Sequence, residues 1–223
     1  MSRLDHLICE VPDIDEAVDV FLGLGFPLAW PIGRFWPDGY TAGVALGGIN
    51  LEFVQPDEDA PGIAQIRTLA FEPVDLQIAA DKLISLGCEV QIAEKWEDNP
   101  ELLRLRGFSE EESKVPQLIC TNAIPFGESP FDFFLCEYSP GLHARLSQHA
   151  FPPMLVVDRI ILGSPTPWED WRPTGAYFGL PMRKRGVEIG IREEPNPFRE
   201  VVEIVSDRGP LDLGDWQARF RFT

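Results

Sequence analysis

The chain has 223 residues, 44% hydrophobic and 25% charged, so it can bury a sizeable core as one compact domain or two packed lobes, and disorder is excluded as the default reading. Its 19 basic and 36 acidic residues leave a formal charge of −17, which repels nucleic acid and anionic membrane surfaces. The one basic run, Arg183-Lys184-Arg185, is short and reads as a solvated hairpin end.

In chain order, Leu4 to Cys9 reads as a short apolar strand that carries His6. Asp13, with Glu16 three residues on, resembles a carboxylate capping box. Ala17, Val18, Phe21 and Leu22 follow at helical spacing, and Gly23 and Gly25 supply the stop. A weakly defined strand near Leu28 to Ile32 precedes the Asp38-Gly39 turn. Two strands at about 40–46 and 49–55 are joined by Gly47-Gly48, a dipeptide suited to a two-residue hairpin. The first unit therefore reads βαβββ.

Shifted by 62 residues, the pattern recurs: Leu4 falls on Ile66, Leu7 on Leu69, Asp13 on Asp75, Ala17 on Ala79 and Leu24-Gly25 on Leu86-Gly87. Strands near 88–92, 117–121 and 131–138 complete a second unit, interrupted by an insertion over about 94–116. The insertion has helix signals of its own: Asn99-Pro100 at one end, Gly107 at the other, then Ser109 with Glu112 as another capping box. It reads either as a lid over a pocket or as a solvated surface excursion. A weaker echo runs from Pro153: apolar "MLVVDRIIL", a helix near 167–178 interrupted by Pro173, Phe178-Gly179-Leu180, then strands "GVEIGIRE" and "REVVEIVS".

The four cysteines, Cys9, Cys88, Cys120 and Cys136, lie far apart with no C-x-x-C pair, which predicts reduced thiols. With no basic n-region ahead of an apolar stretch and no apolar run of membrane-spanning length, the expected location is cytoplasmic. No G-x-G-x-x-G, G-x-x-x-x-G-K, G-x-S-x-G or H-E-x-x-H occurs, so no nucleotide cofactor is expected.

The segments "LDHLICEVPDIDEAVDVFLGLGF", "VALGGINLEFVQP" and "PFDFFLCEYSP" resemble the vicinal oxygen chelate superfamily, in its glyoxalase-like branch, over about residues 3 to 140. That superfamily includes glyoxalase I, extradiol dioxygenases, methylmalonyl-CoA epimerase and bleomycin-resistance proteins. The resemblance implies an α+β fold in which repeated βαβββ modules form a curved, cupped mixed sheet with helices outside. The paired units would occupy 1–148 (modules about 1–60 and 64–140), and 149–223 would form a third, degenerate module.

The resemblance also implies a divalent metal in the cup, held from the first strand and the last strand of each unit, because alternate strand residues share a face and converge on one point. On this chain the ligands would be His6, Glu52 and Glu137, with zinc, manganese or nickel as the metal. The slot that matches His6 in the second unit holds Thr68, a poor ligand. Anchoring the last strand on Pro140 and Pro56 would instead put Cys136 at the third position. In the third unit Arg159 stands in the His6-like slot, and Glu203 echoes Glu52.

Without a metal, His6 is a polar residue tolerated in the interior, and Glu52 pairs with an arginine such as Arg34 or Arg104. Arg34, Trp36, Tyr40, Asn50 and Thr68 are the expected ligand-binding residues, although 34–40 also suit hairpin-surface packing. Where relatives often read Thr-His-Asn, this chain has Thr41-Ala42-Gly43.

Two functions are therefore expected. One is a metal-dependent lyase or isomerase acting on a small oxygen-rich metabolite, with Glu52 and Glu137 as catalytic carboxylates that move a proton while the metal stabilises an enediolate. The other is metal-free sequestration of a small aromatic or anionic compound. The expected partner is a small molecule, not nucleic acid or a membrane. An odd third unit suggests a homodimer, unless it covers the first pair within the chain.

Overall fold

The computed structural model describes residues 3–36, 39–47, 49–62, 64–126, 132–143, 157–164, 182–184, 187–193, 201–206, 210–212 and 220–222. The expected helix near 167–178, Phe178-Gly179-Leu180 and Gly48 lie outside them, as do the side chains of Trp36 and of the strands beyond residue 143.

The first unit runs β1 (Arg3–Glu10), α1 (Ile14–Gly23), β2 (Leu28–Trp36), β3 (Gly39–Ala45) and β4 (Asn50–Pro56). The second runs β5 (Gln65–Glu72), α2 (Leu76–Ser85), β6 (Glu89–Glu97), α3 (Pro100–Leu105), a 3-10 turn (Glu112–Lys114), β7 (Gln117–Phe126) and β8 (Asp132–Tyr138). Asp13 and Asp75 cap α1 and α2 by accepting from the backbone N–H of Glu16 and Ile78 at 3.0 and 2.9 Å. Gly25 and Gly87 end them with φ of 86° and 90°, a left-handed conformation that costs glycine nothing. The Ser109 box is reciprocal: Ser109 N–H donates to Glu112 Oε2 at 2.8 Å, and Glu112 N–H to Ser109 Oγ at 3.3 Å.

Eight strands form one curled mixed sheet in the order β2-β3-β4-β1-β5-β8-β7-β6. β1 lies parallel to β4, β5 parallel to β8, and β1 antiparallel to β5 at the centre, so the second half repeats the first about the β1/β5 seam. Both long helices cover the convex face, where Leu7, Phe21, Leu51, Phe53, Leu69, Phe71, Leu83 and Phe133 form the main core. Phe21 and Phe53 meet at 5.3 Å between ring centroids.

The concave face is covered differently. Leu103 and Phe108 of the insertion join Ile119, Cys120, Cys136 and Leu142 in a second apolar cluster, flanked by Phe134 and Tyr138. The insertion thus packs onto the concave face through Leu103 and Phe108. The four cysteines are free thiols.

The C-terminal region forms a separate five-stranded sheet, β10-β11-β9-β12-β13, from β9 (Val157–Ser164), β10 (Met182–Lys184), β11 (Val187–Glu193), β12 (Val201–Ser206) and β13 (Phe220–Phe222). β9 is parallel to β11, β12 antiparallel to β9, and β13 parallel to β12. This pattern matches β3-β4-β1-β5-β8 of the first sheet, the strands on either side of its seam. The region thus holds parts of two units where one degenerate unit was expected. Glu203 lies on β12, the counterpart of β5, and does not echo Glu52. Taking Arg159 as the counterpart of His6, the register Arg159↔Glu188 makes Gly190 the counterpart of Glu52.

Candidate functional site

β1 and β4 bring His6 and Glu52 together on the concave face, with His6 Nε2 3.2 Å from Glu52 Oε2. Both are almost fully buried, at 5% exposure each. The other histidine nitrogen, Nδ1, lies 2.8 Å from Asp5 Oδ2.

Strict alternation would send Asp5 to the face opposite His6. A bulge prevents this: Leu4 pairs with Phe71 and His6 with Ala70, leaving Asp5 as the extra residue of β1. Bulges re-aim side chains in this way. Tyr138 Oη donates to the same Asp5 oxygen at 2.7 Å, and Thr41 Oγ1 donates to Glu52 Oε1 at 2.6 Å. The result is a continuous buried network, Tyr138–Asp5–His6–Glu52–Thr41.

Burial by itself would push the imidazole of His6 down. Hydrogen bonds and charges from Asp5 and Glu52 outweigh it and lift the pKa to about 10, so His6 is held as imidazolium between two carboxylates. Asp5 is likewise pushed up by burial, but its contacts with His6, Tyr138 and Arg3 bring it below its ordinary value. Burial, followed by Asp5, holds the Tyr138 hydroxyl well above its usual range.

Glu137 does not join this network. Its side chain is exposed and accepts from Leu76 N–H at 3.1 Å, at the start of α2 on the convex side. Gln55 does the same for α1, accepting from Ile14 N–H at 2.9 Å. The shift from β4 to β8 is thus 82 residues, which makes Glu137 the counterpart of Gln55. Strand register agrees, since His6↔Asn50 on β1/β4 corresponds to Thr68↔Asp132 on β5/β8. The counterpart of Glu52 is therefore Phe134, neither Glu137 nor Cys136. The Phe134 ring stands edge-on to His6, 5.9 Å between centroids.

Thus the four strand positions that converge on the cup hold His6, Glu52, Thr68 and Phe134. Two donors with a hydroxyl and a phenyl ring do not fit a divalent ion that needs three strong protein ligands. Among the described residues, no group of three or more His, Cys, Asp and Glu side chains is placed to hold a metal ion.

Of the expected ligand-binding residues, Asn50 shares the Glu52 face of β4, and Thr68 pairs with Ile8 on the concave side of β1. Arg34 does not reach the cup. It is half-exposed, donates to Asp57 Oδ2 at 2.8 Å and lies 4.9 Å from the centroid of the exposed Tyr40 ring. Hairpin-surface packing is therefore the reading that fits Arg34 and Tyr40.

A narrow cleft beside the network is lined by Trp30, Pro31, Gly33, Thr41, Leu102 and Arg106, with a cavity volume of about 10 Å³, room for about one water. Its tightness follows from two glycines. A Cβ on Gly43 would come within 2.4 Å of the Trp30 indole, and one on Gly33 within 2.8 Å of a Leu102 methyl. Trp30 thus lies against the strand at Gly43, and its ring is edge-on to His6, 6.3 Å between centroids.

Arg106 closes α3 and brings a cation into the cleft. Lys95 on β6 belongs to the same charge group. Burial lowers both pKa values below their ordinary range, and each feels Glu97 and Glu52. Sequence reasoning missed Asp5, Trp30, Thr41, Lys95, Arg106, Phe134 and Tyr138. Only the 82-residue register could have found Phe134 from the sequence, and the helix-capping contacts that fix that register are tertiary.

No protein-family model matches the chain, and no curated protein matches it. Solved structures do. A hypothetical protein from Staphylococcus aureus superposes with a TM-score of 0.70, covering 100% of this chain and 99% of that one at 12% identity. A mutant of 4-hydroxymandelate synthase from Streptomyces coelicolor superposes with a TM-score of 0.58, covering 92% of this chain and 70% of that one at 15% identity. Methylmalonyl-CoA epimerase from Mycobacterium tuberculosis superposes more loosely, with a TM-score of 0.46 over 63% of this chain and 91% of that one at 17% identity. The repeated modules, the curled sheet and the first two superpositions give one conclusion: the chain has the vicinal oxygen chelate fold.

Proposed function

We propose that the protein binds a small, oxygen-rich anion in the cup between the sheet and the inserted lid, without a metal. The observation that supports this most is Arg106, a desolvated guanidinium that the insertion places in a cleft with Thr41 and Trp30. In that low-dielectric setting an anion gains from Arg106 and Lys95 more than it would in water. Trp30 and Phe134 wall the site against solvent, and Asn50, Thr41 and Thr68 supply neutral hydrogen-bonding groups. Because the cleft admits about one water, Leu102 and Trp30 must move aside for entry, and the insertion thus gates the site.

The expected metal-dependent lyase or isomerase is the competing reading. His6 and Glu52 are in place for it, but the second unit offers Thr68 and Phe134. With His6 held as imidazolium between two carboxylates, it is a fixed positive charge in the cup and not a proton acceptor near neutral pH.

Calorimetry with a panel of small carboxylates, in the presence of a chelator, tests the proposal. Chelator-insensitive binding that weakens tenfold or more in Arg106→Gln is expected. Binding that vanishes with chelation and returns with zinc, manganese or nickel would restore the metal mechanism.

A further inference from the structure

The second unit's half of the concave face holds a polar group that nothing above uses. The side-chain oxygen of Asn122 on β7 is buried and has no hydrogen-bond partner among the described residues. Buried polar atoms in folded proteins are nearly always paired, so an orphan acceptor needs an explanation. Its direction follows from its neighbours. Ala123 belongs to the convex core and Cys120 to the concave cluster, and with no irregularity between 120 and 123 Asn122 shares the face of Cys120.

Asn122 pairs with Ala93 on β6 and with Cys136 on β8. Lys95, on the same face of β6 and opposite Cys120, is then its diagonal neighbour at roughly 7–8 Å. Arg106 lies in the chain between Leu103 and Phe108, which pack with Cys120 of β7 and Cys136 of β8, so the insertion carries it over the same strands. The concave face thus carries an unsatisfied acceptor on the strands that Lys95 and the Arg106 segment also occupy.

We infer that Asn122 is a ligand-binding residue that accepts a hydrogen bond from a hydroxyl of the bound anion, and that the ligand class is a hydroxycarboxylic acid. This rests on the anion reading above and narrows it. The carboxylate meets Arg106 and Lys95, while the hydroxyl, a few bonds away, donates to Asn122 Oδ1. An ammonium group could also donate, but the two cations repel it, whereas a hydroxyl donates without charge. An acid lacking the hydroxyl leaves the acceptor unpaired, and sites built around a buried polar group discriminate on that basis.

The test uses matched acids, lactate against propionate and malate against succinate, titrated by calorimetry in chelator into wild type and Asn122→Leu, with Asn122→Ala as a smaller replacement. Wild type is expected to favour each hydroxy acid by about tenfold, and both variants to lose that preference. Melting temperatures of the free variants should hold or rise, because the substitution removes an unsatisfied buried acceptor. A residue kept only for structure would not pair lost preference with retained stability. Equal binding of hydroxy and deoxy acids by wild type, or a preference that survives in the variants, overturns this inference and leaves the anion reading standing. No binding by any of the four acids overturns the anion reading and this one with it.

Discussion

His6 shows how much of a residue's chemistry is set by its neighbours. As a lone histidine in an apolar strand, its ordinary titration would fall near neutrality, and burial would favour the neutral ring. Asp5 on Nδ1 and Glu52 on Nε2 reverse that preference and raise its pKa to about 10. The folded state therefore binds this proton more tightly than the unfolded chain does. The stabilisation is fully present below about pH 6.5, where the unfolded histidine is also protonated, and is lost as pH rises through about 10. Urea unfolding from pH 6 to 10 should show stability falling more steeply in wild type than in His6→Gln. Equal slopes would contradict the buried imidazolium. Comparison with the variant matters, because Lys95, whose pKa burial lowers, acts with the opposite sign in the upper part of that range.

Among the elements, the strands β5 and β8 decide why this cup differs from one built for a metal. Thr68 on β5 and Phe134 on β8 stand at the counterparts of His6 and Glu52, and the helix-capping carbonyl and carboxylate of Gln55 and Glu137 fix that equivalence. The equivalence can be tested by gain of function. Thr68→His with Phe134→Glu should create a four-donor set with His6 and Glu52 that takes up one equivalent of zinc or nickel, measured by metal analysis after dialysis. Glu137→Ala added to this double variant should leave the metal content unchanged, since Glu137 serves the N-terminus of α2 on the other face. A folded double variant that retains no metal would refute the 82-residue register.

For the whole molecule, the formal charge of −17 on 223 residues is a repulsive load that the fold tolerates. In the cup the charges balance, because His6, Lys95 and Arg106 are set against the buried carboxylates of Asp5, Glu52 and Glu97. Screening should relieve the general repulsion, so the melting temperature should rise between roughly 10 mM and 200 mM salt, where the Debye length contracts from about 30 Å to below 10 Å. Anion affinity should fall over the same range. A melting temperature that drops with salt would mean that attractive pairs, such as Arg34 with Asp57, outweigh the net charge. No helix among the described residues is long and apolar enough to cross a membrane.

By itself the sequence determined the local architecture: helix caps at Asp13, Asp75 and Asn99, left-handed stops at Gly25, Gly87 and Gly107, and the repeat that placed α1 and α2 in equivalent units. These are short-range features, set by backbone groups a few residues apart. The family resemblance, and not alternation within either strand, put His6 and Glu52 on one face, and the β1/β4 register bears it out. Only the tertiary structure decided which residues meet them. A one-residue bulge turned Asp5 inward, the β5/β8 register set Glu137 three residues past the counterpart of Glu52 and so on the opposite face, and the folded insertion carried Arg106 into the cleft. Pairing register across strands is fixed by contacts between residues far apart in the chain, and one residue of slip exchanges the two faces of a sheet.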